Sequence, residues 1–98
     1  MLKKQYLKSR PVCKVTFYLS AAVKAETVHL VGDFNDWDEK ITPMSQLKDG
    51  RFSVTLELEA GREFQFRYLI DQTEWHNDWE ADKYVPNPFS GDNSVVIT

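Results

Sequence analysis

The sequence predicts an all-β fold, an immunoglobulin-like antiparallel β-sandwich of six to seven strands. Along most of the chain apolar and polar residues alternate, which is the pattern of strands with one buried face and one wet face. Turn-forming pairs, among them Asp49-Gly50 and Ala60-Gly61, separate these alternating segments. With 98 residues and a mass of 11.4 kDa, the chain is also far shorter than the roughly 250 residues of a (β/α)₈ barrel. One small domain of short strands is therefore expected.

The N-terminal half of the predicted sandwich contains two clear strands, near 12–20 and 26–33, and a short one near 41–47 that the pattern supports less strongly. The first two segments place apolar side chains at every second position, and these are the predicted inward-facing residues: Val15, Phe17, Leu19, Val28 and Leu30. In the loop after the second strand, we expect Phe34 to pack in the core and Asn35 to shape the turn.

The C-terminal half contains the strands predicted near 51–59, 62–71, 74–79 and 94–98. The first two of these show the clearest alternation, and their predicted inward residues are Phe52, Val54, Leu56, Leu58, Phe64, Phe66, Tyr68 and Ile70. Because side chains alternate across a strand, Arg67 must then point to the wet face. Prolines and a glycine interrupt the stretch before the last strand, so an extended loop is expected over residues 76–92.

Charge divides the chain into two parts. Residues 1–25 hold six basic residues and no acidic one, whereas residues 26–98 hold 6 basic and 15 acidic residues, a net charge of −9. We therefore predict a basic N-terminal tail over residues 1–11, followed by a single β-sandwich domain over residues 12–98. The tail is either a solvated extension or a segment that docks on an acidic partner surface, and the sequence leaves both alternatives open.

Composition disfavours several partners and compartments. The net charge of −3 is a poor match for the phosphate backbone of a nucleic acid. No apolar run approaches the roughly 20 residues of a membrane span, and the charges near the N-terminus are not followed by the apolar segment of a signal peptide. The one cysteine, Cys13, has no second cysteine with which to form an internal disulfide. We therefore expect a cytoplasmic protein that binds neither nucleic acid nor membrane.

Catalytic and metal-binding patterns are equally weak. Glycoside hydrolysis needs two carboxylates that face each other across a sugar, but most of the 15 acidic residues lie at outward strand positions or in turns. His29 and His76 are far apart and lack a second ligand at short spacing, so a zinc site is unsupported. The sequence contains no phosphate-binding glycine loop and no nucleophile motif. We predict no catalytic residue, no metal and no cofactor, and hence a binding module rather than an enzyme.

The positions of the three tryptophans need an explanation. Trp37 lies in a loop, Trp75 follows the strand that ends near Ile70, and Trp79 comes four residues after Trp75. Each can cap an end of the sandwich. A flat indole can also cover the apolar face of a glucose ring, whose hydroxyl rim then meets amides or charged groups. Stacking that removes about 50 Å² from water contributes only ~1 kcal/mol. Two stacked rings and a few hydrogen bonds would therefore give micromolar to millimolar affinity, as expected for a module that binds a polymer with repeated sites.

A spaced set of motifs carries a family resemblance over about residues 12–98. The set comprises Val28-His29-Leu30-Val31-Gly32-Asp33-Phe34-Asn35-Asp36-Trp37, Phe66-Arg67-Tyr68-Leu69-Ile70-Asp71, Trp75 and Asp92-Asn93-Ser94-Val95-Val96. In this combination the sequence resembles the family 48 carbohydrate-binding modules. These include the glycogen-binding domain of the AMP-activated protein kinase β subunit and the N-terminal early-set domain of isoamylase and of glycogen branching enzymes. The resemblance implies an early-set sandwich that binds α-1,4-linked glucans.

The resemblance also implies a set of carbohydrate-binding residues. Trp37 and Trp75 match the two stacking platforms of the family, and Arg67 lies where the kinase domain has a lysine that bonds sugar hydroxyls. Asn93 matches the asparagine that contacts the sugar from the loop before the last strand. Phe89 lies where the kinase domain has an apolar residue that inserts into the ring of cyclic glucans. Since a guanidinium fork and an ammonium group are not interchangeable, the contact made by Arg67 differs from that of the lysine.

Two interpretations of function remain. The first is non-catalytic binding of glycogen, starch or maltooligosaccharides, with Trp79 as a candidate additional contact on the extended loop. The second is a protein-interaction or regulatory β-sandwich, associated with a glycogen-metabolising enzyme, that has lost sugar binding. Under the second interpretation the basic tail and the exposed sheet edges mediate assembly. Under either interpretation we expect a monomer or a weak homodimer.

Overall fold

Nine strands form two antiparallel sheets in the computed structural model, which describes residues 2–88 and 91–98. The strands are β1 (Leu2–Tyr6), β2 (Val12–Leu19), β3 (Val28–Gly32), β4 (Ser45–Gln46), β5 (Phe52–Glu59), β6 (Glu63–Ile70), β7 (Glu74–His76), β8 (Lys83–Pro86) and β9 (Asp92–Ile97). A 3-10 turn over Asp33–Asn35 follows β3, and the described residues contain no α-helix. The predicted all-β, immunoglobulin-like sandwich is confirmed. No helix in this part of the chain is long and apolar enough to cross a membrane.

The strand order places β6 at the centre of one sheet. Sheet A has the order β1-β2-β5-β4, and sheet B has the order β3-β6-β9-β8, with β7 also paired to β6. On one side β6 pairs with β3; on its other side residues 63–66 pair with β9 and residues 68–70 pair with β7. Arg67 therefore lies on β6 at the junction between the β9 and β7 ladders.

The core between the sheets is built from the residues that the alternation predicts. Buried members of this cluster include Val15, Phe17, Leu19, Val28, Leu30, Phe52, Leu58, Phe64, Phe66, Tyr68 and Ile70. Val54 and Leu56 are only partly buried and pack against it. Phe34 also packs here, with its ring centroid 5.6 Å from that of Phe17, which confirms the role predicted for it.

The prediction of a solvated basic tail is wrong for residues 2–6. This segment forms β1, which pairs with β2 from Leu2↔Phe17 to Tyr6↔Cys13 and becomes an edge strand of sheet A. Lys4 Nζ donates to Asp82 Oδ2 at 2.6 Å. This ion pair connects β1 to the segment before β8. Lysine is a common residue on edge strands, because its charge discourages pairing with another chain.

Besides β1, a second strand that the sequence pattern did not predict is β8, which lies within the predicted loop over residues 76–92. It pairs with β9 from Lys83↔Val95 to Pro86↔Asp92 and forms an edge of sheet B. A proline is tolerated at the end of an edge strand, where its missing N–H removes no ladder hydrogen bond that the sheet needs. Pro86 therefore ends an edge strand and does not mark a loop.

Candidate functional site

The outer face of sheet B, which points away from the core, is partly apolar and buried. Val31 on β3, Leu69 on β6 and Val95 on β9 alternate with core residues, so they point outward, and yet each is almost fully buried. Burial on both faces of a sheet means that side chains and loops are built over its outer face as well. The tryptophans on either side of this face belong to that layer.

Trp37 is held beside this face by the turn that follows β3. A Cβ atom on Gly32 would lie 2.5 Å from the Gln65 carbonyl oxygen, so only glycine fits where the turn begins. The Trp37 backbone N–H donates to the Gly32 carbonyl at 2.9 Å, and its indole Nε1 donates to Asp33 Oδ1 at 2.9 Å. The other carboxylate oxygen of Asp33 accepts the Gln65 backbone N–H at 2.7 Å. Asp33 thus joins the indole to β6.

Asn35 closes the same turn. Its Oδ1 accepts the Gly32 N–H at 3.1 Å, and its Nδ2 donates at 2.9 Å both to a β3 carbonyl and to the Thr42 hydroxyl. This confirms that Asn35 shapes the turn. Asp36 and Trp37 adopt positive φ angles of 54° and 56°, conformations that cost non-glycine residues about 1–3 kcal/mol each. The hydrogen bonds around them offset that strain and fix the orientation of the indole.

Trp75 supplies the second indole, from β7. It pairs with Leu69, so its side chain lies on the outer face of sheet B, where 41% of the residue is exposed. The turn joining β6 to β7 is held in place by Asp71, whose Oδ1 accepts two backbone N–H groups from the segment before β3. The indole of Trp75 therefore also lies on an element, β7, whose position is fixed by hydrogen bonds.

Arg67 brings a positive charge to the same face, as the alternation predicts. Its Nε atom is buried and has no hydrogen-bond partner among the described residues. Its Nη2 lies near the turn before β9, where a Cβ atom on Gly91 would be 3.5 Å away. A buried, unpaired N–H donor is uncommon in proteins, and it distinguishes Arg67 from an ordinary surface arginine paired with a carboxylate.

A chain of hydrogen-bonded amides lies beside Arg67. Asn93 Nδ2 donates to Gln65 Oε1, and Asn87 Nδ2 donates to Asn93 Oδ1, both at 3.0 Å. Asn93 is only 6% exposed. Its side-chain amide bonds Gln65 and Asn87 and so fixes the positions of both side chains. Gln65 and Asn87 are half-buried.

These side chains line one cavity of about 540 Å³. Its lining residues are Trp37, Gln65, Arg67, Trp75, Asn87, Pro88 and Asn93. The structure thus brings together four of the residues that the sequence singled out, whereas Phe89 lies outside the described residues. Two indoles, a guanidinium and three amides around one cavity can stack on the apolar faces of sugar rings and hydrogen-bond their hydroxyls.

Trp79 is not part of this group. It lines a different cavity at the end of the sandwich, and 70% of the residue is exposed. Trp79, the candidate additional contact, is thus separate from the cavity that Trp37 and Trp75 line. Asp78, just before Trp79, lies on the core side of sheet B, where it accepts a 2.7 Å hydrogen bond from the core hydroxyl of Tyr68.

Sequence reasoning missed three of the lining residues and the residue that positions Trp37. Gln65 stands two positions before Arg67 on the same face of the strand, and that spacing is the signal that could have revealed it. Asn87 and Pro88 reach the cavity because β8 pairs with β9, and Asp33 because of the tight turn at Gly32. In residues 2–88 and 91–98, no cluster of three or more His, Cys, Asp or Glu side chains is placed to hold a metal ion.

The family model for carbohydrate-binding module 48 (isoamylase N-terminal domain) matches residues 9–90. The chain belongs to carbohydrate-binding module family 48. It is therefore a carbohydrate-binding domain by family, as its sequence motifs imply.

This family 48 module is similar to parts of longer proteins. It is 35% identical over 90 residues to the 1,4-alpha-glucan branching enzyme GlgB of Aquifex aeolicus (strain VF5), a match that covers 85% of this chain and 14% of that protein. It is 31% identical over 78 residues to GlgB of Lactobacillus acidophilus (strain ATCC 700396 / NCK56 / N2 / NCFM), covering 78% of this chain and 12% of the relative. It is 24% identical over 80 residues to the amylopullulanase of Thermoanaerobacterium thermosulfurigenes, with 74% and 4% covered. The chain thus spans only a small part of the length of these relatives.

Proposed function

We propose that this family 48 module binds α-1,4-linked glucans, including glycogen, starch and maltooligosaccharides, in the cavity of about 540 Å³ and does not cleave them. The observation that carries the proposal is the presence of Trp37, Trp75 and Arg67 in the lining of one cavity. The names of the relatives, branching enzyme and amylopullulanase, support a glucan rather than another carbohydrate.

Each lining residue has a role that the chemistry of a glucose unit explains. The indoles of Trp37 and Trp75 cover the apolar C–H faces of two rings, each contact contributing about 1 kcal/mol. Arg67 lines the cavity, and its guanidinium donates to ring hydroxyls. The amides of Gln65 and Asn87 can both donate and accept, as a hydroxyl requires. The expected dissociation constant lies between about 1 μM and 1 mM.

The lining also supports a non-catalytic role. Glycosidases use a pair of Asp or Glu side chains flanking the scissile bond, and none of the described lining residues is acidic. Asp33 lies near Trp37, but both of its oxygens accept hydrogen bonds from the protein. We propose that the module serves as an accessory that keeps glucan close to a glucan-modifying enzyme.

Isothermal titration with maltoheptaose tests the proposal on the native chain and on the variants Trp37→Ala and Trp75→Ala. We expect binding by the native chain and about five- to ten-fold weaker binding by each variant, equivalent to about 1–1.4 kcal/mol. Tyr6→Ala is the matched control, because it removes an exposed aromatic ring from β1, away from the cavity. Its affinity should equal that of the native chain.

Two results count against the proposal. If the native chain releases no heat and shows no retention on glycogen, the module is instead a protein-interaction domain that has lost sugar binding. If the chain releases shorter maltooligosaccharides from maltoheptaose on prolonged incubation, the non-catalytic part of the proposal is wrong.

A further inference from the structure

A second cavity lies at the end of the sandwich, where the segments after β2 and β7 meet the turn before β5. Its volume is about 390 Å³. Its lining residues are Tyr18, Leu19, Ser20, Ala21, Asp49, Arg51, Tyr68, Asn77, Asp78, Trp79 and Glu80. The two cavities share no lining residue. A ligand in one therefore leaves the residues of the other free to bind.

Trp79 is the most exposed of the large apolar side chains in the described part of the chain, with 70% of the residue open to solvent. It is not on a loose loop. Asp78, just before it, is 2% exposed and accepts a 2.7 Å hydrogen bond from the Tyr68 hydroxyl, and its backbone N–H donates to the Ser94 hydroxyl at 2.9 Å. The Tyr84 hydroxyl also donates to the Asp78 carbonyl. An indole held exposed on an anchored segment is a preformed platform for a flat apolar surface.

The rim of this cavity is polar and carries charges of both signs. Arg51 Nε donates to Asp49 Oδ2 at 2.8 Å, and the guanidinium lies 4.8 Å from the centre of the Tyr18 ring. Glu80 adds a second exposed carboxylate. One carboxylate–guanidinium pair and a second carboxylate next to an exposed indole suit a neutral ligand with many hydroxyls, whereas the excess of negative charge opposes a phosphate or an acidic peptide.

From these features we infer that the Trp79 cavity is a second glucan-binding site, so that one chain binds two separate glucan segments. The inference rests on the proposed function for its ligand class, but it involves none of the same residues. A module with two sites gains avidity on a branched polymer without any new contact at the first site, because the second binding event becomes intramolecular.

The indole N–H resonances of Trp37, Trp75 and Trp79 allow the two sites to be observed separately by NMR. Each signal is assigned by a single Trp→Phe substitution, and maltotriose is the probe because it is too short to serve as a polymer bridging both sites. We expect all three signals to shift and saturate. In the Trp37→Ala/Trp75→Ala double variant the Trp79 signal should still shift with an unchanged midpoint, and in Trp79→Ala the other two should do so. Because Trp79 is largely exposed, Trp79→Ala should retain the native thermal midpoint.

The outcomes separate the inference from the proposed function. A Trp79 signal that stays fixed while Trp37 and Trp75 saturate overturns the second site and leaves the first intact. A shift at Trp79 alone supports the second site and refutes the first. Glycerol at the same hydroxyl concentration is the control for unspecific contact, and an equal Trp79 shift in glycerol also overturns the inference. A native chain that crosslinks amylose into a turbid suspension, with loss of turbidity in Trp79→Ala, would add support.

Discussion

Asp33 holds the indole of Trp37 by accepting its Nε1–H at 2.9 Å, and the same carboxylate accepts the backbone N–H of Gln65 at 2.7 Å. The two bonds connect the loop that carries one platform to the strand that carries Arg67. A ligand therefore meets a platform whose position is already set, and little conformational entropy is lost on binding. We therefore expect Asp33 to be a positioning residue, which acts on the glucan through Trp37.

Replacing Asp33 should weaken glucan binding even though the Trp37 side chain itself is retained. In Asp33→Ala both hydrogen bonds are lost and the indole becomes free to rotate, so we expect about five-fold weaker binding of maltoheptaose, or about 1 kcal/mol. Titration calorimetry measures the change. Glu39→Ala is the control, since it removes an exposed carboxylate from the same loop. Equal loss of affinity in both variants would show that net charge, rather than the positioning of Trp37, is responsible.

Gly32→Ala should destabilise the whole module. The new Cβ would lie 2.5 Å from the Gln65 carbonyl oxygen and 2.8 Å from the Phe66 Cβ, so β6 and the turn must move apart. We expect a loss of about 3 kcal/mol in the free energy of unfolding. Urea unfolding measures it.

Gly61→Ala is the matched control for this variant. Gly61 has a φ of 76° but nothing within 4 Å of its would-be Cβ, so only the strained backbone conformation contributes, at about 1–2 kcal/mol. If Gly32→Ala costs no more than Gly61→Ala, close packing at the start of the Trp37 turn is not what requires glycine there.

Arg67 should contribute to binding and little to stability. Its buried Nε donor has no partner in the described part of the protein, so Arg67→Ala removes a desolvated group without breaking a hydrogen bond at that atom. We expect about ten-fold weaker binding of maltoheptaose, a thermal midpoint no lower than that of the native chain, and a smaller loss of about three-fold for Arg67→Lys. A large fall in the thermal midpoint of Arg67→Ala would assign Arg67 a structural role instead.

Tyr68 should make the fold sensitive to alkaline pH. Burial raises the pKa of Tyr68 well above its ordinary value of 10.0, and the hydrogen-bonded Asp78 carboxylate raises it further. A group whose pKa rises on folding contributes its full stability below the unfolded pKa and loses it as the pH increases. The free energy of unfolding should therefore fall above about pH 10.

Tyr68→Phe tests that linkage. At about pH 7 it should cost about 1–3 kcal/mol, because the Asp78 carboxylate loses a buried donor. Between about pH 9 and pH 11 its stability should fall less steeply than that of the native chain. Urea unfolding across this range, with exposed Tyr6→Phe as control, gives the comparison. Parallel pH profiles for native and Tyr68→Phe would contradict the linkage.

The alternation of apolar residues was sufficient to predict the core, because a strand with one buried face must repeat with a period of two. The same rule correctly predicted that Arg67 points away from the core. It failed for β1 and β8, because both are edge strands. Their charged and exposed residues follow no strict alternation, and their pairing depends on strands distant in the chain.

The site was predictable only in part for a related reason. Trp37, Trp75 and Asn93 stand out by residue type and motif, whereas Gln65 and Asn87 enter through long-range hydrogen bonds that no local pattern encodes. Trp79 shows the converse limit. Its residue type made it a candidate sugar contact, but residue type does not say which cavity it lines, and the buried hydrogen bond between Tyr68 and Asp78 holds its segment at the other cavity.

A crystal structure of the chain with maltoheptaose tests most directly whether glucan binds in the cavity lined by Trp37, Trp75 and Arg67. We expect glucose rings stacked on Trp37 and Trp75, with a sugar hydroxyl within hydrogen-bond distance of the Arg67 guanidinium. A complex in which maltoheptaose binds the chain but makes no contact with Trp37, Trp75 or Arg67 would contradict this expectation.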